Sequence, residues 1–339
     1  MAKRKFPEDT MMKVIKEYSS SKTAGIKCKL EATNLAFQVK IDKKLYALRQ
    51  FNRYMNAKDL SMQFLLAKLI NTSGLKTPRP VLTRNGKEFV KVDDRLWALF
   101  PWCNGQAGGK EKLGDLKILV STQGKWVECS TTLNSHPELK PIIKSAKKFR
   151  RRKSWAWVVP LDKVPEFAKE HPVIRKIPTG KHHKILSSLL PELQSNICEF
   201  EELLKKHRIH ELPHIVTHGD FWASNIVISG KEAVILDMDC YSFEPRITDF
   251  AKAANFYYKE HSNSENASLF KEFQKYAKLS KEEIETLPLL MCAHDLYYAV
   301  GHLFLGDLPS IRAIKLEMKA AQRYKKEHGK ILNIFLGKQ

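Results

Sequence analysis

The pattern of apolar and polar positions divides this chain into two unlike parts. Residues 7–18 predict a short helix: Met11, Val14, Ile15 and Tyr18 recur at helical spacing, and Glu8 and Asp9 suit its first turn. Three strand-like runs follow, at 25–30, 35–41 and 45–51. In the second, Leu35, Phe37, Val39 and Ile41 alternate with Ala36, Gln38 and Lys40, the period of a half-buried strand. Asp42-Lys43-Lys44 supplies the turn before the third. Residues 58–71 read as a helix with Leu60, Phe64, Leu65, Ala67 and Leu69 apolar, broken by Gly74 and Pro78. Residues 81–83 and 88–92 flank Arg84-Asn85-Gly86-Lys87, a hairpin signal, and 96–100 form a further apolar strand closed by Pro101.

Beyond Pro101 the period changes. Residues 102–109 read as a connector, and 113–136, 183–207, 247–259, 265–278, 281–302 and 308–327 as helices. A β-rich island interrupts them at Ile215-Val216, 226–228 and 233–236. No internal repeat or long low-complexity tract is present. The expected fold class is α+β with two lobes. Residues 1–101 form a β-rich N-lobe with a leading helix and one further helix. Residues 102–339 form a mainly helical C-lobe with an embedded hairpin.

Composition narrows the field. The chain has 339 residues and is 43% hydrophobic, enough to bury two substantial cores. Lys+Arg exceed Asp+Glu by 58 to 37, a net charge of +21. That excess suits an anionic ligand, be it nucleotide, acidic substrate, nucleic acid or membrane surface, and equally a merely soluble surface. Six cysteines are scattered with no C-x-x-C pair and no zinc-type spacing, as in reduced, mostly buried thiols. The start, MAKRKFPEDTMMKVIKEY, lacks the apolar core of a signal peptide, and no stretch is long enough to insert in a membrane. A cytoplasmic location is expected. Residues 144–153, KSAKKFRRRK, precede Trp155 and Trp157. Basic residues among aromatics can bind nucleic acid, but a solvated basic face, or one that draws in an anionic substrate, is the preferred reading.

The segment rich in chemistry is HIVTHGDFWASNIVISGKEAVILDMDCYSFEPRITD, residues 214–249. Asn225 follows Asp220 by five residues, and Asp237 ends the next strand pair. Phosphoryl transfer requires a carboxylate to orient the attacking hydroxyl and take its proton, hard oxygens for Mg²⁺, and cations on the phosphates. The spacing Asp-x₄-Asn followed by a strand-end Asp reproduces the protein-kinase template, with Asp220 catalytic and Asn225 and Asp237 on the metal. Asp239, two residues on, points the same way if the strand continues, toward a second metal or the substrate. Taken singly, H-G-D is often only a turn and D-x-D only a strand end. Their order between apolar strands, after a separate β-rich lobe, is what carries weight.

THGDFWASNIVI, then AVILDMD and PRITDFAK, resemble the aminoglycoside phosphotransferase and choline kinase family of protein-kinase-like small-molecule kinases, over about residues 10–305. There is also a general likeness to Bacillus-type antibiotic kinases of the amicoumacin kind. The resemblance implies the two-lobed protein-kinase-like fold, ATP as phosphoryl donor and Mg²⁺. It makes Asp220 the catalytic base and Asn225 and Asp237 the metal ligands. It implies that His218 braces the loop and Asp249 anchors it. Glu31-Ala32-Thr33-Asn34 is similar to the family's phosphate-covering loop, which places Thr33 and Asn34 at the nucleotide. Arg49 falls at the nucleotide-binding Lys/Arg position, and Phe100-Pro101-Trp102 at the hinge lining the adenine. Two departures stand out: the phosphate loop has no glycine, and the usual Glu partner of the strand cation is replaced by Gln63.

Candidates for the acceptor side are less sharply defined. Trp222 either walls the pocket or plugs a core. His294, Asp295 and Tyr298 share a predicted helix where the family gathers substrate contacts, and helical spacing puts His294 and Tyr298 on one side. Glu244 and Arg246 are candidates for the cleft rim. The expected partners are ATP and a hydroxylated small molecule. The leading reading is an antibiotic resistance kinase. The alternatives are a kinase of a metabolite alcohol such as homoserine, choline or a sugar, and a non-catalytic kinase-like binding protein, against which the intact Asp220, Asn225 and Asp237 argue. The strong positive charge counts mildly against polycationic aminoglycosides.

Overall fold

The computed structural model describes residues 8–20, 24–30, 35–51, 55–108, 112–147, 183–303 and 308–338. Thr33, Asn34, the basic run beyond Lys147 and both of its tryptophans lie outside the described residues. Two compact units divide the chain, Met1–Gln106 with Val234–Leu236, and Ala107–Ala233 with Asp237–Gln339.

The first unit is an antiparallel sheet between two helices. Its elements are α1 (Glu8–Tyr18), β1 (Ala24–Leu30), β2 (Leu35–Ile41), β3 (Lys44–Gln50), α2 (Ala57–Thr72), β4 (Val90–Val92) and β5 (Arg95–Pro101), in sheet order β1-β2-β3-β5-β4. The predicted alternation decides which face meets which helix. Phe37, Val39, Ile41, Leu48, Trp97 and Leu99 pack on Met11, Val14 and Ile15 of α1. Phe51, Leu96 and Ala98 pack on Leu60 and Phe64 of α2. Asn56 caps α2 by accepting from Asp59 N at 2.9 Å. Asp42 and Lys43 make the β2–β3 turn with φ 46° and 67°, both left-handed, the two-residue turn whose twist matches the strands.

The expected hairpin at 81–92 needs correction. Asp93 and Asp94, at φ 49° and 56°, form the hairpin turn, and β4 pairs with β5. Residues 81–83 are not a strand. Pro80 has no N–H, and Val81 N contributes a single bond to Leu99 O at 2.7 Å, too little to start a ladder. The Arg84-Asn85-Gly86 turn does form, closed by Thr83 N donating to Lys87 O at 2.8 Å.

Further along the chain, β6 (Gln106–Ala107) begins inside the expected connector. Then come α3 (Leu113–Leu133), α4 (Leu139–Ala146), α5 (His183–Lys206), β7 (His214–Thr217), β8 (Ile226–Ser229), β9 (Glu232–Ile235), β10 (Ser242–Pro245) and α6 (Thr248–Glu260). The chain ends with α7 (Asn263–Ala277), α8 (Lys281–Glu285), α9 (Leu287–Leu303), α10 (Leu308–Lys326) and α11 (His328–Leu336). Gly124 of α3 lies so close to α7 that a Cβ would sit 2.4 Å from Phe273 O. The expected helix 281–302 is two helices. Thr286 interrupts it, and Pro288 sits in the first turn of α9, where a missing N–H costs nothing. Missed by the sequence reading were α4, α11 and β10. Strand β10 reads as polar, yet it forms by pairing with β7.

Candidate functional site

Strand β7 delivers the chain into His218-Gly219-Asp220, and α3 holds that delivery in register. Trp126 Nε1 donates to Val216 O at 2.9 Å, Asn134 Nδ2 to His214 O at 2.7 Å, and Gln123 Nε2 to Phe221 O at 3.1 Å. The His218 imidazole is buried among Trp126 and Phe221, with ring centroids at 5.5 and 5.1 Å. Asp249, buried in the first turn of α6, accepts from His218 N at 2.8 Å and from Gly219 N at 2.9 Å. Gly219 has φ +82°, and a Cβ there would lie 1.9 Å from Cys240 O, so no other residue fits without the backbone moving.

Asp220 emerges from this frame with its side chain exposed. Its N–H donates to His218 Nδ1 at 3.3 Å. A 3₁₀ turn, Ala223–Asn225, returns the chain, and Asn225 Nδ2 donates to Asp220 Oδ2 at 2.8 Å and to Asp220 O at 3.0 Å. With its nitrogen committed to Asp220, the Asn225 amide turns its carbonyl oxygen elsewhere. Asp237 sits two residues past β9 in a left-handed conformation, φ 59° and ψ 71°. Its Oδ1 accepts from Asp239 N at 3.3 Å and caps a short 3₁₀ turn. Asp239 itself is buried. Among the described residues no group of three or more His, Cys, Asp or Glu side chains is gathered as a metal site. An amide oxygen and a carboxylate are nonetheless the hard donors that Mg²⁺ takes alongside phosphate oxygens and water, so Asn225 and Asp237 fit that ion chemically.

Lys252 was missed by the sequence reading, although it stands one helical turn after Asp249 in PRITDFAK. Its Nζ donates to Gly219 O at 3.2 Å and to Glu244 Oε1 at 3.4 Å. Burial works to lower its pKa, but Glu244, Asp249 and Cys240 outweigh burial and raise it.

Glu244 and Arg246, expected at a rim, are placed otherwise. Glu244 is fully buried on β10 and accepts from Ser242 Oγ. Arg246 gives its fork to Glu283, Nε to Oε1 at 2.8 Å and Nη2 to Oε2 at 2.5 Å, with the pair nearly sealed from solvent. Both are committed to holding elements together, on and just after a strand that lies against β7 and α4.

His294, Asp295 and Tyr298 do come together on α9. His294 and Tyr298 rings are 4.7 Å apart. Asn255 Nδ2 of α6 lies 2.7 Å from His294 Nδ1 and 3.0 Å from Asp295 Oδ1. Burial, helped by Lys252, pulls the His294 pKa down to about 3, so the imidazole is neutral. Burial pushes Asp295 up to about 6. Burial and the neighbouring Asp295 push Glu317 of α10 up to about 7. The charge of Asp220 is felt at both His294 and Tyr298. Glu317 gave no signal in a helix that reads as solvated. Trp222 is half-buried, edge-on to Phe256 at 5.6 Å.

In the first unit, the Arg49 guanidinium lies over the Phe51 ring at 5.1 Å. Gln63 is buried and donates to Met55 Sδ at 3.5 Å. Phe100 packs edge-on to Phe64 at 5.9 Å, and Trp102 N donates to Leu45 O at 3.3 Å.

A comparison with curated protein sequences finds no match. Among solved structures, a microcompartment-associated aminopropanol kinase is 15% identical, with TM-score 0.66, covering 95% of this chain and 98% of that one. The Plasmodium vivax ethanolamine kinase is 14% identical, with TM-score 0.66 and coverage of 92% and 86%. An amicoumacin kinase, solved in complex with AMP-PNP, Ca²⁺ and Ami, is 14% identical, with TM-score 0.63 and coverage of 96% and 94%. At such identity these likenesses speak to the fold, which is the α+β protein-kinase-like one expected from the sequence. No described helix is long and apolar enough to cross a membrane. The sequence profile of the phosphotransferase enzyme family (APH) matches residues 28–281, three quarters of the chain, and the chain belongs to that family, as a phosphotransferase with an alcohol group as acceptor.

Proposed function

We propose that this chain moves the γ-phosphoryl group of ATP, in its magnesium complex, onto a hydroxyl of a small molecule in the cytoplasm. The observation that carries the reading is the Asp220–Asn225 pair. An exposed carboxylate is bonded to the amide of a residue five positions later, on a loop held by Asp249. Asp220 orients the acceptor hydroxyl and takes its proton late, since a largely dissociative transition state needs little early deprotonation. Asn225 and Asp237 hold Mg²⁺, which when bound neutralises charge on the phosphates. Arg49 and the backbone at Thr33 and Asn34 receive the phosphates, while Phe100 and Trp102 border the base.

A hydroxylated antibiotic remains the first reading of the acceptor, supported by likeness to an amicoumacin kinase. A metabolite amino alcohol is the second. Likeness to aminopropanol and ethanolamine kinases supports it. So do Asp295 and Glu317 near His294 and Tyr298, whose carboxyl groups, raised by burial, a substrate amine would draw into their charged form. The test is an ATP-consumption screen with Mg²⁺ over amicoumacin, spectinomycin, ethanolamine, 1-amino-2-propanol, choline, homoserine and sugars. Turnover with one class above the water background assigns the acceptor. Consumption that no acceptor stimulates, with no nucleotide bound, would favour a kinase-like binding protein instead.

A further inference from the structure

Asp249 and Lys252 stand three residues apart on α6, on one side of the helix. They grip the two ends of the same residue. Asp249 accepts the Gly219 N–H at 2.9 Å, and Lys252 donates to the Gly219 carbonyl at 3.2 Å. That carbonyl shares a peptide plane with the N–H of Asp220, which donates to His218 Nδ1 at 3.3 Å. The plane leading into Asp220 is therefore fixed at its oxygen by Lys252 and at its nitrogen by His218. A rotation of this plane would swing the Asp220 carboxylate.

The lysine is itself held. Its second partner, Glu244, is fully buried and accepts from Ser242 Oγ, which in turn hydrogen-bonds Thr217 Oγ1 at 2.9 Å. One polar string thus runs from the end of β7 through β10 and α6 back to the loop. Lys252 is mostly buried, with 17% of its side chain exposed. A lysine kept so far from water normally signals a specific demand on its charge. The demand here is local: two buried carboxylates, Glu244 and Asp249, and a loop carbonyl that no strand or helix satisfies.

We propose that Lys252 is a positioning residue for phosphoryl transfer, fixing the Gly219–Asp220 peptide so that the Asp220 carboxylate faces the acceptor hydroxyl. The inference rests on the reading that Asp220 orients the acceptor. Misplacement of a reacting group by about 1 Å can cost about 100-fold in rate. Removing Lys252 alone takes its cation from the buried Glu244 and can unfold the chain, so the informative variant is Lys252→Met with Glu244→Gln. Turnover is read with the best acceptor of the panel above and, in parallel, as MgATP hydrolysis with water. The double variant is expected to fold, to keep ATP affinity and acceptor KM within about threefold, and to lose about 10- to 100-fold in kcat. Lys252→Arg, which restores a cation to the carbonyl, is expected to recover part of the loss. Added to Asp220→Asn, the double substitution should cost little more, because its effect runs through Asp220. A folded double variant with parental kcat, while Asp220→Asn is impaired, overturns the role of Lys252. Parental turnover in Asp220→Asn overturns the reading of Asp220 and the role of Lys252 with it.

Discussion

Asp220 shows how much of a site one residue's surroundings decide. Its side chain is exposed, whereas its backbone is held directly by His218 and Asn225 and, through Gly219, by Lys252 and Asp249. Substituting Asp220→Asn keeps the shape and an acceptor for Asn225 but removes charge and basicity. Turnover is expected to fall by about 10²–10⁴-fold while ATP affinity and melting temperature stay near the parent, because the carboxylate matters most in the transition state. Kinetics and ATP titration on one preparation decide it; turnover within a few-fold of the parent removes Asp220 from the role. Asp237 adds a constraint of another kind. Its left-handed backbone suits Asp, Asn or Gly and penalises most other residues. Asp237→Asn is therefore the clean probe of its charge, where Asp237→Ala would add strain to the loss of an oxygen ligand.

Among the elements, α8 turns on Glu283, which serves two structures at once. It closes a capping box with Ser280, accepting from Ser280 N at 2.9 Å while its own N–H donates to Ser280 Oγ at 3.3 Å. It also pairs with Arg246, just before α6. Glu283→Gln keeps the box, since Gln serves at that position, but leaves the Arg246 charge without its partner. Breaking a buried pair from one side typically costs about 3–5 kcal/mol. Chemical denaturation of Glu283→Gln should show a loss in that range, whereas Ser280→Ala should cost only about 1 kcal/mol. Equal losses would mean that the cap, not the ion pair, holds α8. The capping box is local, and the spacing Ser280-x-x-Glu283 carries its signature; the ion pair is not visible in the sequence, because Arg246 and Glu283 are 37 positions apart. What else the sequence made visible was periodic. The β2 alternation, the α1 stripe and the Asp-x₄-Asn spacing are local patterns, and they foretold the sheet, its helix and the loop. Strand β10 exists only through a partner 25 residues away, and the split at Thr286 only through Pro288 starting a new helix.

For the molecule as a whole, pH is the variable with the clearest sign. Asp295, at about 6, and Glu317, at about 7, hold protons that the unfolded chain gives up near pH 4. The folded state therefore binds more protons in between. Their contribution to stability is full below about pH 4 and is lost as pH rises through 6 to 7. His294 acts in the opposite sense. With its pKa near 3, its contribution is present above about pH 6.5 and is lost as pH falls toward 3. Asp295→Asn removes one carboxylate of this balance and a cause of the raised pKa of the other. Melting temperature followed from pH 5 to 8 should fall less in the variant than in the parent, with the variant at or above the parent at pH 8. Parallel curves would show that Asp295 and Glu317 titrate as ordinary carboxylates. The +21 net charge did not reveal any of this, since it sums charges over the whole chain while the response comes from three groups in one buried or half-buried cluster.

The hold of Asp249 on the loop has a consequence in time. The amide hydrogens of His218 and Gly219 both rest on one buried carboxylate. They belong to a loop, yet their release requires that loop to part from Asp249 at the start of α6. In the protein without ligands, their exchange with deuterium should be as slow as that of the strand amides of β7, and adding MgATP should hardly slow it further. The ordering of this segment is then completed when the chain folds, and nucleotide arrives at a loop that has nothing left to arrange.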